Sequence, residues 1–275
     1  MLMKHPTLLT TLIPWFGGSL EPLKRTIEST KGIADETLVV HQQLFDEDAE
    51  RVRSVADKVQ TVPWNAVFTH GFGWLANQHQ LAAGKWILLL GTAETIAEEY
   101  YPIRKMLEGA DIRTTFRCNH LNDTNDWHRI WCPASGVSYG GVIHESVGGG
   151  HKPGPIIFRM QDTPKEPPDD PFHAEVFRWK KTTSYNFLYR RLLRDPSQLS
   201  YTDPGWLNFV RGAADSIEGF CEEHRDLIDA AVSGDRQAFL DGVRSRMDAE
   251  KPAVGVNFEP LGEERSGDET IPEAA

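Results

Sequence analysis

The chain has 275 residues, 40% of them hydrophobic and 25% charged, which is the composition of an ordinary globular protein. This length is enough for one large α/β domain, or for one domain and an appendage. Its formal net charge of −11 disfavours nonspecific attraction to nucleic acid. Three cysteines argue against a disulfide framework, and no apolar run approaches the ~20 residues that span a bilayer. The apolar segment at residues 8–13 is too short, and too interrupted by threonine, for a signal peptide. We therefore expect a cytoplasmic protein.

The first third of the chain alternates predicted strands and helices. Apolar runs that end in turn residues predict strands, whereas apolar residues at helical spacing predict helices. In chain order, the predicted elements are a strand at 8–14, a helix at 19–31, a strand at 37–40, a helix at 46–59, a weak strand at 62–64, a helix at 72–83 and a strand at 86–90. Alternation with short connections predicts a doubly wound, mostly parallel sheet with helices on both faces.

The rest of the chain carries a different pattern. The predicted elements are a helix at 95–112, a strand at 112–118, a polar loop at 122–126, a strand at 128–131, an irregular proline-rich loop at 148–172 and helices over 173–249. Residues 251–275 lose all periodicity and are rich in glutamate, which predicts a disordered acidic tail.

The apolar run at residues 86–90 is the most informative stretch. It is preceded by Gly84 and ends abruptly at Gly91, as expected of a strand buried on both faces of a parallel sheet. Ligands of open α/β sheets bind at the carboxyl ends of such strands. Residues 91–94 should therefore face a site.

Residues 76–94 resemble the segment of family-2 glycosyltransferases of the GT-A fold that leads to two metal-binding aspartates. At the positions of those aspartates this chain has Gly91 and Ala93, and the acid that follows is Glu94. Residues 11–29 and 34–48 resemble the first strand, turn and helix and the second strand of the same family. Residues 138–145 resemble the segment ending in His-Glu that one branch of the family carries.

The resemblance implies a GT-A nucleotide-sugar-binding domain at residues 1–165 and a helical C-terminal segment at 166–250. It implies transfer of a sugar from a UDP- or GDP-sugar to an acceptor that the sequence does not identify. Two alternatives stay open: a noncatalytic relative that binds a nucleotide or a partner, and a transferase that modifies DNA bases. The loss of both aspartates supports the first alternative. A run of basic residues at 178–194 supports the second, and the net charge opposes it.

The resemblance also places residues at the donor site. His41, at the position of the family's nucleoside-contacting aspartate, and Gln42 are candidate hydrogen-bonding groups, and Trp15 is a candidate stacking residue because it follows the first strand. The expected donor-binding residues are Pro14, Trp15, His41, Gln42, Asn77, Gly91, Ala93, Glu94, Arg190 and Arg191.

Gly91 and Ala93 have no side-chain oxygen, so the metal clamp is altered or absent. Glu94 and His144 are the candidate ligands for Mn²⁺ or Mg²⁺, or Glu94 instead caps the next helix. In a metal-independent enzyme, Arg190 and Arg191 would hold the diphosphate.

Glu145 is the candidate catalytic base, because the resemblance places this acid close to the sugar. The alternative is a structural ion pair of Glu145 with Arg129 or Arg117.

Overall fold

The computed structural model describes residues 7–42, 45–64, 75–121, 123–140, 146–148, 151–164, 170–195 and 204–249. Within these ranges the strands are β1 (Leu9–Trp15), β2 (Glu36–Gln42), β3 (Lys58–Val62), β4 (Trp86–Leu89), β5 (Glu94–Glu99), β6 (Thr114–His120), β7 (Asp123–Trp131), β8 (Ser138–Gly140), β9 (Ser146–Gly148) and β10 (Lys152–Asp162). The helices are α1 (Glu21–Ser29), α2 (Asp48–Arg53), α3 (Ile103–Glu108), α4 (Pro171–Arg194), α5 (Pro204–Gly212), α6 (Ala214–Glu223), α7 (Arg225–Ser233) and α8 (Arg236–Asp248).

Eight of these strands form one mixed sheet in the order β3-β2-β1-β4-β7-β6-β10-β5. Its first half, β3-β2-β1-β4, is parallel throughout. In the second half β7 is antiparallel to both β4 and β6, and β10 is parallel to β6 but antiparallel to β5. The predicted α/β class with a helical C-terminal extension is confirmed. The parallel character predicted for the whole sheet is confined mainly to one half.

The sheet is buried on both faces. Alternate residues of β1 point to opposite sides, so Ile13 packs with α1 and α2 whereas Leu12 packs with Leu89 and Trp131 on the other face. Strand β4 lies between β1 and β7, and every residue in it is buried. Covering on both faces explains why this strand is an unbroken apolar run.

Helices α4 to α8 share an apolar core of their own. This core also includes Phe45 and Trp64, which lie just beyond the carboxyl ends of β2 and β3. The Phe45 ring stacks on His173 with centroids 3.7 Å apart, and Trp64 lies 5.2 Å from Phe239. The helical prediction for 173–249 is confirmed for the residues described, 173–195 and 204–249, and these helices cover one edge of the sheet. The predicted boundary at 165/166 and the predicted tail at 251–275 lie outside the described residues, so the domain division stays a prediction.

Two predicted helices before β4 are largely wrong. The pattern at 46–59 divides into α2 and the edge strand β3, because Asp57 accepts a hydrogen bond from the backbone of Thr37 (2.8 Å) and leads the chain into the sheet. Of the helix predicted at 72–83, only residues 75–76 are helical among those described. The following turns are fixed by Lys58, whose Nζ donates to the Leu81 carbonyl (2.9 Å), and by Glu36, which accepts from the Ala83 amide (2.5 Å).

Three predictions in the second half are wrong in whole or in part. Of the helix predicted at 95–112, residues 95–99 lie in β5 and residues 103–108 form α3. Most of the described part of the predicted loop at 148–172 forms β10, because β5 and β10 pair with each other. Pro153 is accommodated where the register between β10 and β6 shifts, since proline removes a ladder hydrogen bond. The predicted polar loop at 122–126 belongs to β7 from residue 123 onward.

No helix in the described part of the chain is long and apolar enough to cross a membrane.

Candidate functional site

The carboxyl ends of β1, β2 and β4 meet at one edge of the sheet. Trp15, the last residue of β1, is in register with His41 of β2, and β4 runs parallel to β1 on its other side. The turn after β4 is tied to β1 by a 2.8 Å hydrogen bond from Thr92 Oγ1 to the carbonyl of Pro14. Because open α/β sheets bind ligands outside such strand ends, this edge is the candidate site.

The candidate donor residues on β1 and β2 are held by protein neighbours. Trp15 is fully buried, with His41 edge-on at 6.1 Å and the Arg51 guanidinium 5.7 Å from its ring. His41 is also fully buried; its Nδ1 lies 3.1 Å from the Gln42 carbonyl and its Nε2 lies 2.9 Å from the Thr61 hydroxyl. Burial lowers the pKa of His41, which favours the neutral ring. Contact of these side chains with a donor stays a prediction.

Residues 91–94 form a closed turn. The Gly91 amide donates to Glu94 Oε2 (2.5 Å), and the Glu94 amide donates to the Gly91 carbonyl (3.0 Å). Thr26 Oγ1 donates to the Thr92 carbonyl (2.8 Å), which ties the turn to α1. Glu94 begins β5, so the alternative in which it caps a helix is wrong.

Glu94 also forms a mostly buried ion pair with Arg129 of β7, with Arg129 Nη2 2.7 Å from Oε1. The two side chains are 18% and 8% exposed, so solvent screens the pair weakly. The alternative predicted for Glu145 was a structural ion pair with Arg129 or Arg117. In the structure Arg129 pairs with Glu94 and Arg117 pairs with Asp126 (2.6 Å).

The described residues at this edge do not fit a divalent metal site. Gly91 and Ala93 contribute no side-chain oxygen, and both carboxylate oxygens of Glu94 accept hydrogen bonds from the protein. Among the described residues no group of three His, Cys, Asp or Glu side chains is arranged to hold a metal. His144, the second candidate ligand, and Glu145, the candidate base, lie outside the described residues. Asn77 is half-buried in the turn that follows residue 76.

Three arginines of α4 are engaged by acids. Arg190 lies 2.9 Å from Glu218 and 3.4 Å from Glu222, both on α6. Other pairs on this helix join Arg194 to Glu218 and Arg178 to Glu175. The assignment of Arg190 and Arg191 to the diphosphate stays a prediction, and for Arg190 it requires loss of the ion pairs with α6.

Sequence reasoning missed that α4 itself reaches the strand edge. Gly17, in the turn after β1, has φ +101°, and a Cβ placed there would lie 2.0 Å from the Phe177 ring. One helical turn further along α4, Lys180 Nζ lies 5.7 Å from the centroid of the Phe16 ring. The sequence shows that Lys180, Thr183 and Ser184 are polar residues at helical spacing, but only the structure shows that they are buried.

No protein-family model matches the chain, and no curated protein matches it in sequence. Solved structures similar to it include S. aureus TarS 1-349 (12% identity, TM-score 0.38, 88% of this chain and 92% of that chain). GalNAc-T7 with UDP, GalNAc and Mn²⁺ is 11% identical, with a TM-score of 0.36 over 91% of this chain and 59% of that chain. Glucosyl-3-phosphoglycerate synthase from Mycobacterium tuberculosis, in complex with Mn²⁺, UDP and phosphoglyceric acid, is 11% identical, with a TM-score of 0.32 over 42% of this chain and 44% of that chain. At these TM-scores the similarities assign no activity and no site residue to this chain.

Proposed function

We propose that this chain is a glycosyltransferase that transfers a sugar from a UDP- or GDP-sugar without a divalent metal at residues 91–94. The observation that carries the proposal is the turn at the carboxyl end of β4. It stands where a parallel sheet presents its ligands, yet its carboxylate, Glu94, is bound by the Gly91 amide and by Arg129.

In the proposed reaction an acceptor hydroxyl displaces the nucleoside diphosphate at the anomeric carbon. The bond from the acceptor oxygen to that carbon forms, and the bond from the carbon to the phosphate oxygen breaks with its electron pair passing to the diphosphate. Glu145 takes the acceptor proton as a general base. Positive side chains at the strand edge stabilise the charge that develops on the departing diphosphate.

Two other functions remain candidates. A noncatalytic nucleotide-binding relative is supported by the absence of both aspartates. A DNA-base glycosyltransferase is opposed by the net charge of −11 and by the acidic partners of Arg178, Arg190 and Arg194, which reduce the positive charge available to a phosphate backbone.

The proposal is tested by calorimetric binding of UDP, GDP and their sugars, in EDTA and in Mn²⁺. We expect affinity to change little between the two conditions. An affinity ~100-fold or more lower in EDTA than in Mn²⁺, about 2.7 kcal/mol, would show that a metal ion takes part in donor binding. His144→Ala would then test the candidate metal ligand. Failure of every nucleotide to bind would reject the proposed function.

Glu145→Gln then separates an enzyme from a binding relative. Glutamine keeps the shape but removes the basic carboxylate, so turnover of the bound sugar nucleotide should fall ~10²–10⁴-fold while its affinity stays the same. The anomeric configuration of the product, read by NMR, shows whether the reaction inverts. Equal turnover by parent and variant would remove Glu145 from the mechanism.

A further inference from the structure

Lys180 is a buried cation that the proposed reaction has not yet used. It is 3% exposed and makes no hydrogen bond or ion pair with any residue that the structure describes. Its ammonium is placed only by the Phe16 ring, 5.7 Å away, and by the field of Asp48. Lysine is rarely buried without a partner, because removing the ammonium from water is unfavourable.

Thr183 repeats the pattern one helical turn along the same face of α4. It is fully buried, and its hydroxyl has no hydrogen-bond partner in the described part of the chain. Residues three apart along a helix share a face, so Lys180 and Thr183 place two buried donors on the same face of α4. Buried donors without partners are uncommon in native proteins and call for an explanation.

The charges near Lys180 come from α2 and the residues just before it. The buried Asp48 accepts from the Phe45 amide (3.0 Å) and lies 3.6 Å from Arg51, whose guanidinium also donates to the Gly18 carbonyl (2.9 Å). The charge of Glu47 also acts on Asp48, so these described groups are two cations, Lys180 and Arg51, and two anions. Lys180 is the buried cation among them without a hydrogen bond to a described residue, and it lies beside the turn after β1, at the edge where the sheet is expected to bind its ligand.

We propose that Lys180, assisted by Thr183, binds the diphosphate of the sugar-nucleotide donor and supplies positive charge that residues 91–94 do not provide. An ammonium and a hydroxyl are the donors that phosphate oxygens accept from. The Phe16 ring is half-buried and lies 5.7 Å from the ammonium, so it is a neighbour of Lys180 when no phosphate is bound. This inference rests on the proposed function.

The test is calorimetric binding of UDP, uridine and inorganic pyrophosphate to the parent chain and to Lys180→Met, Thr183→Val and Lys181→Met. Lys181 is the matched control, because it is the next residue of the helix and is exposed. We expect Lys180→Met to bind UDP and pyrophosphate about 10- to 100-fold more weakly, the range for a charged hydrogen bond, and to bind uridine like the parent. Thr183→Val should show a smaller loss with the same ligands, and Lys181→Met should show none.

The remaining outcomes separate the two proposals. If Lys180→Met binds UDP and pyrophosphate like the parent, the role of Lys180 is overturned and the proposed function stands. If the parent binds pyrophosphate through Lys180 but binds no nucleotide or sugar nucleotide, Lys180 is an anion site and the proposed function fails. If the parent binds none of these ligands, both proposals fail.

Discussion

Replacing Lys180 with methionine should stabilise the fold, although the same change should weaken diphosphate binding. Burial lowers the pKa of Lys180 from 10.5 to about 8, and the charge of Asp48 opposes the shift. At ~1.36 kcal/mol per pKa unit, a difference of this size corresponds to about 3 kcal/mol of unfavourable free energy in the folded state. Methionine removes that penalty but also removes the cation near Asp48. We therefore expect a gain of about 1–3 kcal/mol at pH 7.

The gain in stability from Lys180→Met should depend on pH, and the lowered pKa of Lys180 determines the direction. Because the folded-state pKa lies below the unfolded value, the unfolded chain binds more protons between pH 8 and pH 10.5, and the stability of the parent rises across that window. Below pH 8 the lysine is protonated in both states, so the penalty is constant. The advantage of Lys180→Met should be largest below pH 8 and should vanish near pH 10.5.

Urea unfolding followed by tryptophan fluorescence at pH 7, 8.5 and 10 would measure these differences. Groups that do not interact with Lys180 titrate equally in parent and variant, so the difference in unfolding free energy reports on Lys180 and its neighbour Asp48. Lys181→Met, at an exposed position, should match the parent at every pH. A variant less stable than the parent at pH 7, or a difference that does not change with pH, would refute the reasoning.

Two further predictions concern the turns at the strand edge. Gly17→Ala should destabilise the fold by more than about 1 kcal/mol, because φ is +101° and the new methyl group meets the Phe177 ring. Gly32→Ala is the control for backbone strain alone, since its φ is +81° and no atom lies within 4 Å of the added Cβ. Thermal unfolding should show a smaller loss of stability for Gly32→Ala than for Gly17→Ala. Glu94→Gln should destabilise by about 2 kcal/mol, since it removes the charge that pairs with Arg129, whereas Glu98→Gln, in an exposed pair, should have no measurable effect. Equal unfolding free energies for the two glutamine variants would show that the Arg129 pair contributes no more than a surface pair.

The sequence by itself determined the elements whose own pattern of apolar residues shows which side of the element is buried. Residues 86–90 are apolar without a break because β4 is covered on both faces, and the helices after 173 carry their apolar residues at helical spacing. The absence of side-chain oxygens at residues 91 and 93 is also fixed by sequence alone. It is the main chemical constraint on the candidate site.

The tertiary structure alone decided the elements and pairs that depend on distant segments. Residues 94–99 and 152–162 became strands because each found the other as a partner, and strand preference depends on cross-strand neighbours more than on intrinsic propensity. The Glu94–Arg129 pair joins β5 to β7, and Lys180 meets Phe16 across most of the chain. A short segment of sequence shows the chemistry of each side chain, but it does not show which distant side chain contacts it in the folded protein. For a buried charge, the partner decides whether it stabilises the fold, binds a ligand or does both.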